Sequence, residues 1–286
     1  MPPDVSKITT INMKITLLQS DIHWASPAAN IANAERLIEN AGQADLFVLP
    51  EMWSTGFATE PDGIAETEGG TALEWMVSTA QERGAAVAGS IAVRTEDNRY
   101  RNRHYFVHPD GSYDYYDKHH LFTYGHEDQF YTAGEKRTVA CHGGARFLLA
   151  TCYDTRFPLW LRCQDDYDVL VIVANWPANR QVAWQTLVRA RAIENQCYVL
   201  AVNRTGTDPY STYIGGSCII DAYGNTVAQA EGDGEQTVSA TLDLERQKHF
   251  REKFPVLRER DRTDLSALYN DHSISLTKET KKRTEI

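Results

Sequence analysis

The stretch that decides the fold is "YDVLVIVANWPANRQVAWQTLVRARAIENQCYVLAVN", residues 167–203. Tyr167 to Asn175 is a short apolar run rich in β-branched residues, which reads as a buried strand. Val182 to Gln196 reads as a helix. "CYVLAVN" then returns to strand character. Strand, helix and strand in succession make an α/β unit, whose sheet must be covered by helices.

The same alternation runs outward in both directions. Toward the N-terminus, "MKITLLQ" (Met13 to Gln19), "DLFVLP" (Asp45 to Pro50), "AAVAGSIAV" (Ala85 to Val93) and "GGARFLLATC" read as strands. Asn30 to Gly42 and Thr71 to Gly84 read as helices that stop at a glycine. "RYRNRHYFVHPDGSYDYYDK" reads as a hairpin about Pro109-Asp110-Gly111. "GGSCIIDAYGNTVAQA" reads as a second, turning at Tyr223-Gly224-Asn225, and "QTVSATLDL" closes the set. No linker and no repeat divides the chain. The expectation is one α/β domain over residues 13–262, between a polar extension (1–12) and a polar tail (263–286).

The chain has 286 residues and a formal net charge of -10. A net negative charge disfavours binding to nucleic acid or an anionic membrane. No apolar run approaches the roughly 20 residues of a membrane span. "MPPDVSKITTIN" lacks the apolar centre of a signal peptide, so the expected compartment is the cytoplasm. The five cysteines are widely spaced, with no C-x-x-C pair, which argues against a disulfide framework and a zinc knuckle.

Three strands end in groups that could do chemistry. "DLFVLP" delivers Glu51, "RFLLAT" delivers Cys152, and "VLVIVA" delivers Asn175 and Trp176. Ligands gather at the carboxyl ends of strands in α/β sheets, so these residues could share a site. Lys118 follows the aromatic run "YDYYDK". Each has a plainer reading: Cys152 as core packing, Glu51 as a cap, Lys118 as a surface partner of Asp117 or Asp114. Together, a thiol, a carboxylate and an ammonium form a complete set for acyl transfer. Two other constellations compete. His119, His120 and His126 with Glu127 and Asp128 could be metal ligands, although their spacing matches no usual zinc pattern. Cys152 could also be activated by His119 or His120. The chain has neither a G-x-S-x-G elbow nor a G-x-G-x-x-G phosphate loop.

"VLPEMWSTGF", "YDKHHLF" and "TCYDTRFP" resemble, in order, the three signature blocks of the nitrilase, or carbon-nitrogen hydrolase, superfamily. The resemblance extends from about Met13 to Asp261. It implies a four-layer α-β-β-α sandwich, Glu51 as general base, Lys118 as catalytic lysine and Cys152 as nucleophile. It also implies a second glutamate between lysine and cysteine. Glu127 is chosen over Glu135, because in relatives that residue lies seven positions before a glycine, here Gly134. A homodimer and no cofactor or metal are implied as well. "CYDTRFPLW", "VANWPANRQVAWQTLVRARAIENQ" and "REKFPVLRERD" look most like the omega-amidase branch, which hydrolyses the terminal amide of 2-oxo dicarboxylate monoamides. Other carbon-nitrogen hydrolases, and a binding protein that kept the fold, are the alternatives. Thr151 and Thr155 stand where relatives usually carry larger apolar residues, which bears on the pocket's shape.

That chemistry explains the residue types. A free thiol is mostly protonated at neutral pH, so it needs a neighbouring base. The oxyanion needs donors: Lys118 and the backbone N–H of Tyr153 are the candidates. The anionic end of the substrate needs a cation or N–H groups, for which Arg180 is the candidate. Trp176 and Phe57 are candidate apolar walls. Arg156 is expected to pair inside its own turn, and Arg189, Arg191 and Glu194 to form an internal salt-bridge set.

Overall fold

The computed structural model describes residues 12–260. Its first half contains β1 (Asn12–Gln19), α1 (Pro27–Ala41), β2 (Leu46–Val48), β3 (Glu66–Thr67), α2 (Thr71–Arg83), β4 (Ala86–Arg94), β5 (Tyr100–Val107) and β6 (Tyr113–Asp117). Next come α3 (Glu127–Phe130), β7 (Val139–His142), β8 (Ala145–Thr151), β9 (Val169–Ala174), α4 (Gln181–Asn195) and β10 (Tyr198–Asn203). The chain continues through β11 (Thr205–Thr207), β12 (Thr212–Ile214), β13 (Cys218–Ile220), β14 (Thr226–Gln229), β15 (Gln236–Asp243) and α5 (Leu244–Lys253). The expected polar extension, Asn12 aside, and the tail from 263 lie outside the described residues.

Two sheets carry the fold. One has the order β15-β1-β2-β4-β5-β6, with β3 on β4; the other has β14-β13-β10-β9-β8-β7. Side-chain alternation shows how they stack. Ile15, Leu17, Leu46, Val48, Ala86, Ala88 and Phe106 share one core with the strands of the second sheet. Their neighbours Leu18, Phe47, Val87, Ile91, Tyr105 and Val107 share a different core with Ala34, Leu37 and Ile38 of α1 and Leu73 and Met76 of α2. Strands β1, β2, β4 and β5 of the first sheet thus each serve two cores. A one-residue slip would exchange them, at roughly 1.5–3 kcal/mol for each large apolar side chain displaced. On the second sheet, Trp184, Val188 and Ala192 form the buried stripe of α4. The layers run α-β-β-α.

The strands β8, β9 and β10 are mutually parallel, as are β1, β2 and β4. Since β5 is antiparallel to both β4 and β6, β6 runs the same way as β4. The carboxyl ends of β2 and β6 in one sheet therefore sit together, as do those of β8 and β9 in the other.

The predicted strands and long helices are all found, within about three residues at their ends. Gly84 closes α2 in the left-handed conformation (φ 59°), with its N–H on the Ala80 and Gln81 carbonyls. Six elements escaped the reading: β3, α3, β7, the two strands of the β11–β12 hairpin and α5. The sequence of α5, "LERQKHFREK", has only Gln247 buried, so it shows no apolar stripe. Its start is nonetheless capped, the Asp243 carboxylate accepting the Arg246 N–H at 2.9 Å.

Candidate active site

The loop after β2 buries Glu51 completely, the residue after β6 buries Lys118, and the start of α3 buries Glu127. Lys118 Nζ donates to Glu51 Oε1 at 2.9 Å and to Glu127 Oε2 at 2.8 Å. Burial alone would push an ammonium toward neutrality, but the two carboxylates outweigh it and hold the Lys118 pKa above its ordinary value. Burial raises the Glu127 pKa, against the pull of Lys118 and of the Phe122 N–H on Oε2 (2.7 Å). Glu51 Oε2 accepts the backbone N–H of Asn175 at 2.9 Å, and Asn175 Nδ2 donates to the Glu51 carbonyl at 2.6 Å. These two bonds tie the end of β9 to the loop after β2, across the sheets.

Cys152 follows β8 and opens a short 3-10 helix, Cys152–Arg156. Its φ is +45°, a left-handed backbone that a non-glycine residue adopts at a cost of about 1–3 kcal/mol. Asp154 over-determines the turn. Its carboxylate accepts Thr151 N (3.0 Å), the Tyr116 hydroxyl (2.8 Å) and His120 N (2.9 Å). The last two lie beside Lys118, so one buried carboxylate locks the thiol's turn to the lysine's loop. Burial first, then the Glu51 charge, pushes the Cys152 thiol well above its ordinary pKa, and its Sγ lies 3.9 Å from the Asn175 carbonyl. The resting group is therefore a neutral thiol next to a carboxylate. Tyr153 is the second residue of the 3-10 helix, where helix geometry provides its N–H no carbonyl partner.

A cavity of about 390 Å³ opens onto this cluster. Glu51, Lys118 and Cys152 lie in it, as do Phe57, Tyr153, Trp176 and Arg180. The Phe57 ring centroid is 5.2 Å from Lys118 Nζ. Arg180 sits over the rings of Phe122 and Tyr124 at 5.2 and 5.3 Å. Asp208, Tyr210 and Tyr213, on the unpredicted β11–β12 hairpin, complete one wall.

Three expectations change. Arg156 does not pair inside its turn: it lines the cavity, exposed, with its guanidinium 4.9 Å from the Trp176 ring centroid. Among the described residues it has no carboxylate partner. Arg189 leaves the expected salt-bridge set, donating to the Gly224 carbonyl and to Thr226 Oγ1 (2.9 Å), while Arg191 keeps Glu194 at 2.9 Å. Thr151 and Thr155 are fully buried and outside the cavity lining, so they do not shape the pocket wall.

The competing constellations do not converge. His119 Nδ1 lies 2.6 Å from the Gly134 carbonyl and its ring stacks on Trp160. His120 pairs with Asp154 and stacks on Phe157, and His126 lies beside Gln129. The charged groups that act on the Cys152 thiol are Glu51 and Lys118. Asp117 is held by Arg103 (2.7 Å) and Asp114 by His108 (3.0 Å), which leaves Lys118 to the buried glutamates; Glu135 is exposed.

Besides Asp154 and the hairpin residues, one member of the buried cluster itself was missed. Asn102, on β5, is buried and donates from Nδ2 to Glu51 Oε1 (2.7 Å) and to Glu127 Oε1 (3.1 Å). The signal was present in "RNRHYF": Asn102 and His104 occupy alternate positions on the face that Phe106 gives to the inter-sheet core. Polar residues in that register need buried partners.

A family model for carbon-nitrogen hydrolase matches residues 14–252. The chain belongs to the carbon-nitrogen hydrolase family, and its fold is the four-layer sandwich expected of it. It is 43% identical over 253 residues to the omega-amidase YafV of Yersinia enterocolitica, covering 87% of this chain and 97% of that one. It is 39% identical over 248 residues to the 2-oxoglutaramate amidase of Bacillus subtilis, covering 85% and 95%. Among solved structures, a CN-hydrolase superfamily protein from Xanthomonas campestris with an arsenic adduct in its active site superposes with a TM-score of 0.85. That pair shares 38% identity over 88% of this chain and 98% of the other.

Proposed function

We propose that this protein is an omega-amidase that hydrolyses the terminal amide of 2-oxo dicarboxylate monoamides, such as 2-oxoglutaramate, to the 2-oxo acid and ammonia. The observation that carries the reading is the pairing of two environments in one cavity. Cys152 faces a buried ammonium held by two carboxylates, and two guanidinium groups without carboxylate partners among the described residues, Arg156 and Arg180, line the same space. The first suits an amide and the second an anionic substrate end. The similarity to YafV and to the B. subtilis 2-oxoglutaramate amidase supports the same substrate class.

The steps follow from the groups present. Cys152 Sγ attacks the amide carbon while Glu51 takes its proton. Lys118 has three N–H donors. Two are spent on carboxylates and the third faces the forming oxyanion, with the Tyr153 N–H opposite. A donor so placed contributes about 3–4 kcal/mol to the transition state. Collapse breaks the C–N bond and Glu51 returns the proton to the departing ammonia. The thioester on Cys152 is then hydrolysed by water that Glu51 deprotonates. Glu127 keeps Lys118 charged and in place. Trp176 and Phe57 wall the chain of the substrate, and Arg180 takes its carboxylate.

The test is ammonia release from 2-oxoglutaramate compared by kcat/KM with a neutral aliphatic amide, a nitrile and an N-carbamoyl compound. Preference for any of the last three overturns the assignment. No described helix is long and apolar enough to cross a membrane. The five cysteines are free, which supports a reducing compartment such as the cytoplasm. A homodimer is supported by exposed Ile193, Tyr223 and Phe254, a patch that a second copy would cover. Light scattering on the purified protein tests it.

A further inference from the structure

Asn102 has no place in the acyl-transfer steps above, yet it touches both carboxylates. Its amide nitrogen has two hydrogens, one for each of Glu51 Oε1 and Glu127 Oε1. Lys118 Nζ approaches the same two oxygens, at 2.9 and 3.2 Å. An ionised carboxylate offers about four acceptor positions. On Glu51, Lys118 and Asn102 fill Oε1, and Asn175 N takes one position on Oε2 (2.9 Å). One position remains, on Oε2.

We propose that Asn102 is a positioning residue that commits Oε2 of Glu51 as the atom receiving the Cys152 proton, by saturating Oε1 together with Lys118. This rests on Glu51 being the base. Four titratable groups surround Glu51. Lys118 comes from the end of β6, Glu127 from α3, Cys152 from the end of β8, and Tyr131 from the segment after α3. Two carboxylates against one ammonium leave an excess negative charge, which favours protonation of one of them. A neutral donor shared by both opposes that without adding a countercharge. Loss of Asn102 would free Oε1 to take a proton and so remove the base at higher pH than in the parent.

The experiment compares pH profiles of kcat/KM on 2-oxoglutaramate for the parent, Asn102→Leu and Asn102→Asp. Leucine removes the donor at similar volume, and aspartate keeps the shape but adds a third acid. The expected result is a fall in kcat of at least about 10-fold, KM within about 3-fold, and an acid-side midpoint raised by on the order of one pH unit. A midpoint is independent of how much protein folded, so a merely structural role would scale the profile without moving it. Profiles that superimpose after scaling overturn the proposal. If the parent hydrolyses no amide, the omega-amidase reading fails by itself. The pH dependence of Cys152 alkylation by iodoacetamide then makes the same comparison: a raised midpoint in the variants supports the role of Asn102, and an unmoved one overturns it.

Discussion

The floor and the mouth of the cavity treat charge in opposite ways. On the floor, Lys118, Glu51 and Glu127 are fully buried and satisfy one another within 3 Å. At the mouth, Arg156 and Arg180 lie over aromatic rings, and neither has a carboxylate partner among the described residues. Buried charges persist only when paired, so the floor must be complete before substrate arrives. Arg156 is exposed and Arg180 half-buried, so neither guanidinium carries that penalty in full and both can wait for an anion. The groups proposed to break the bond thus lie in the rigid half and those proposed to select the substrate in the open half.

Substitutions separate the two halves. Cys152→Ser should show the largest effect, a loss of at least about 10⁴-fold in ammonia release with an unchanged melting temperature, because an alkoxide is far harder to generate beside Glu51. Substantial turnover by this variant would remove the thioester route. Lys118→Met should lose about 10³-fold in kcat and also about 3–5 kcal/mol of stability in urea titration, since two buried carboxylates lose the ammonium that pairs with both. A variant that loses activity without losing stability would show that the floor is less tightly coupled than its geometry. Arg180→Gln should raise KM for 2-oxoglutaramate about 10- to 100-fold while leaving a neutral amide within about 3-fold. Equal losses on both substrates would move the anion site elsewhere.

The smallest effect concerns stability beneath the floor. His104 is buried between the sheets, with Nδ1 3.2 Å from the Ala150 carbonyl, and burial lowers its pKa from 6.5 to about 3. The unfolded chain binds the proton below pH 6.5 and the folded one does not. Its contribution is therefore present above pH 6.5 and is lost as pH falls toward 3. At pH 5 the loss is about 2 kcal/mol. His104→Gln should shrink the pH 7-to-5 difference in unfolding free energy by that amount. An unchanged difference would place the acid sensitivity in the carboxylates instead.

Legibility followed periodicity. The elements around residues 167–203 were readable because each carries its own apolar pattern and a bounding turn. The α5 helix was not, because its helical state rests on the Asp243 cap and on Gln247 donating to the Asp168 and Gln196 carbonyls, contacts that leave no stripe. The β11–β12 hairpin has three-residue strands and turns on Asp208, which accepts from Tyr210 N and Ser211 N. Motif blocks marked Glu51, Lys118 and Cys152. Nothing local marked Arg156 as a cavity residue: an arginine in a tight turn reads as a turn partner until the other wall is known.

From the sequence alone came the layered α/β architecture, the strand ends that carry the reactive groups, and the family those groups belong to. These depend on patterns confined to short segments. The tertiary structure decided the rest. It showed that Asn102 bridges the two glutamates, that Asp154 ties the thiol's turn to the lysine's loop, and that Arg156 opens onto the cavity. The Asp154 contacts depend on two sheets meeting face to face, the others on strands and loops brought together within one sheet. A contact between residues about 20 to 50 positions apart has no period for a sequence to display.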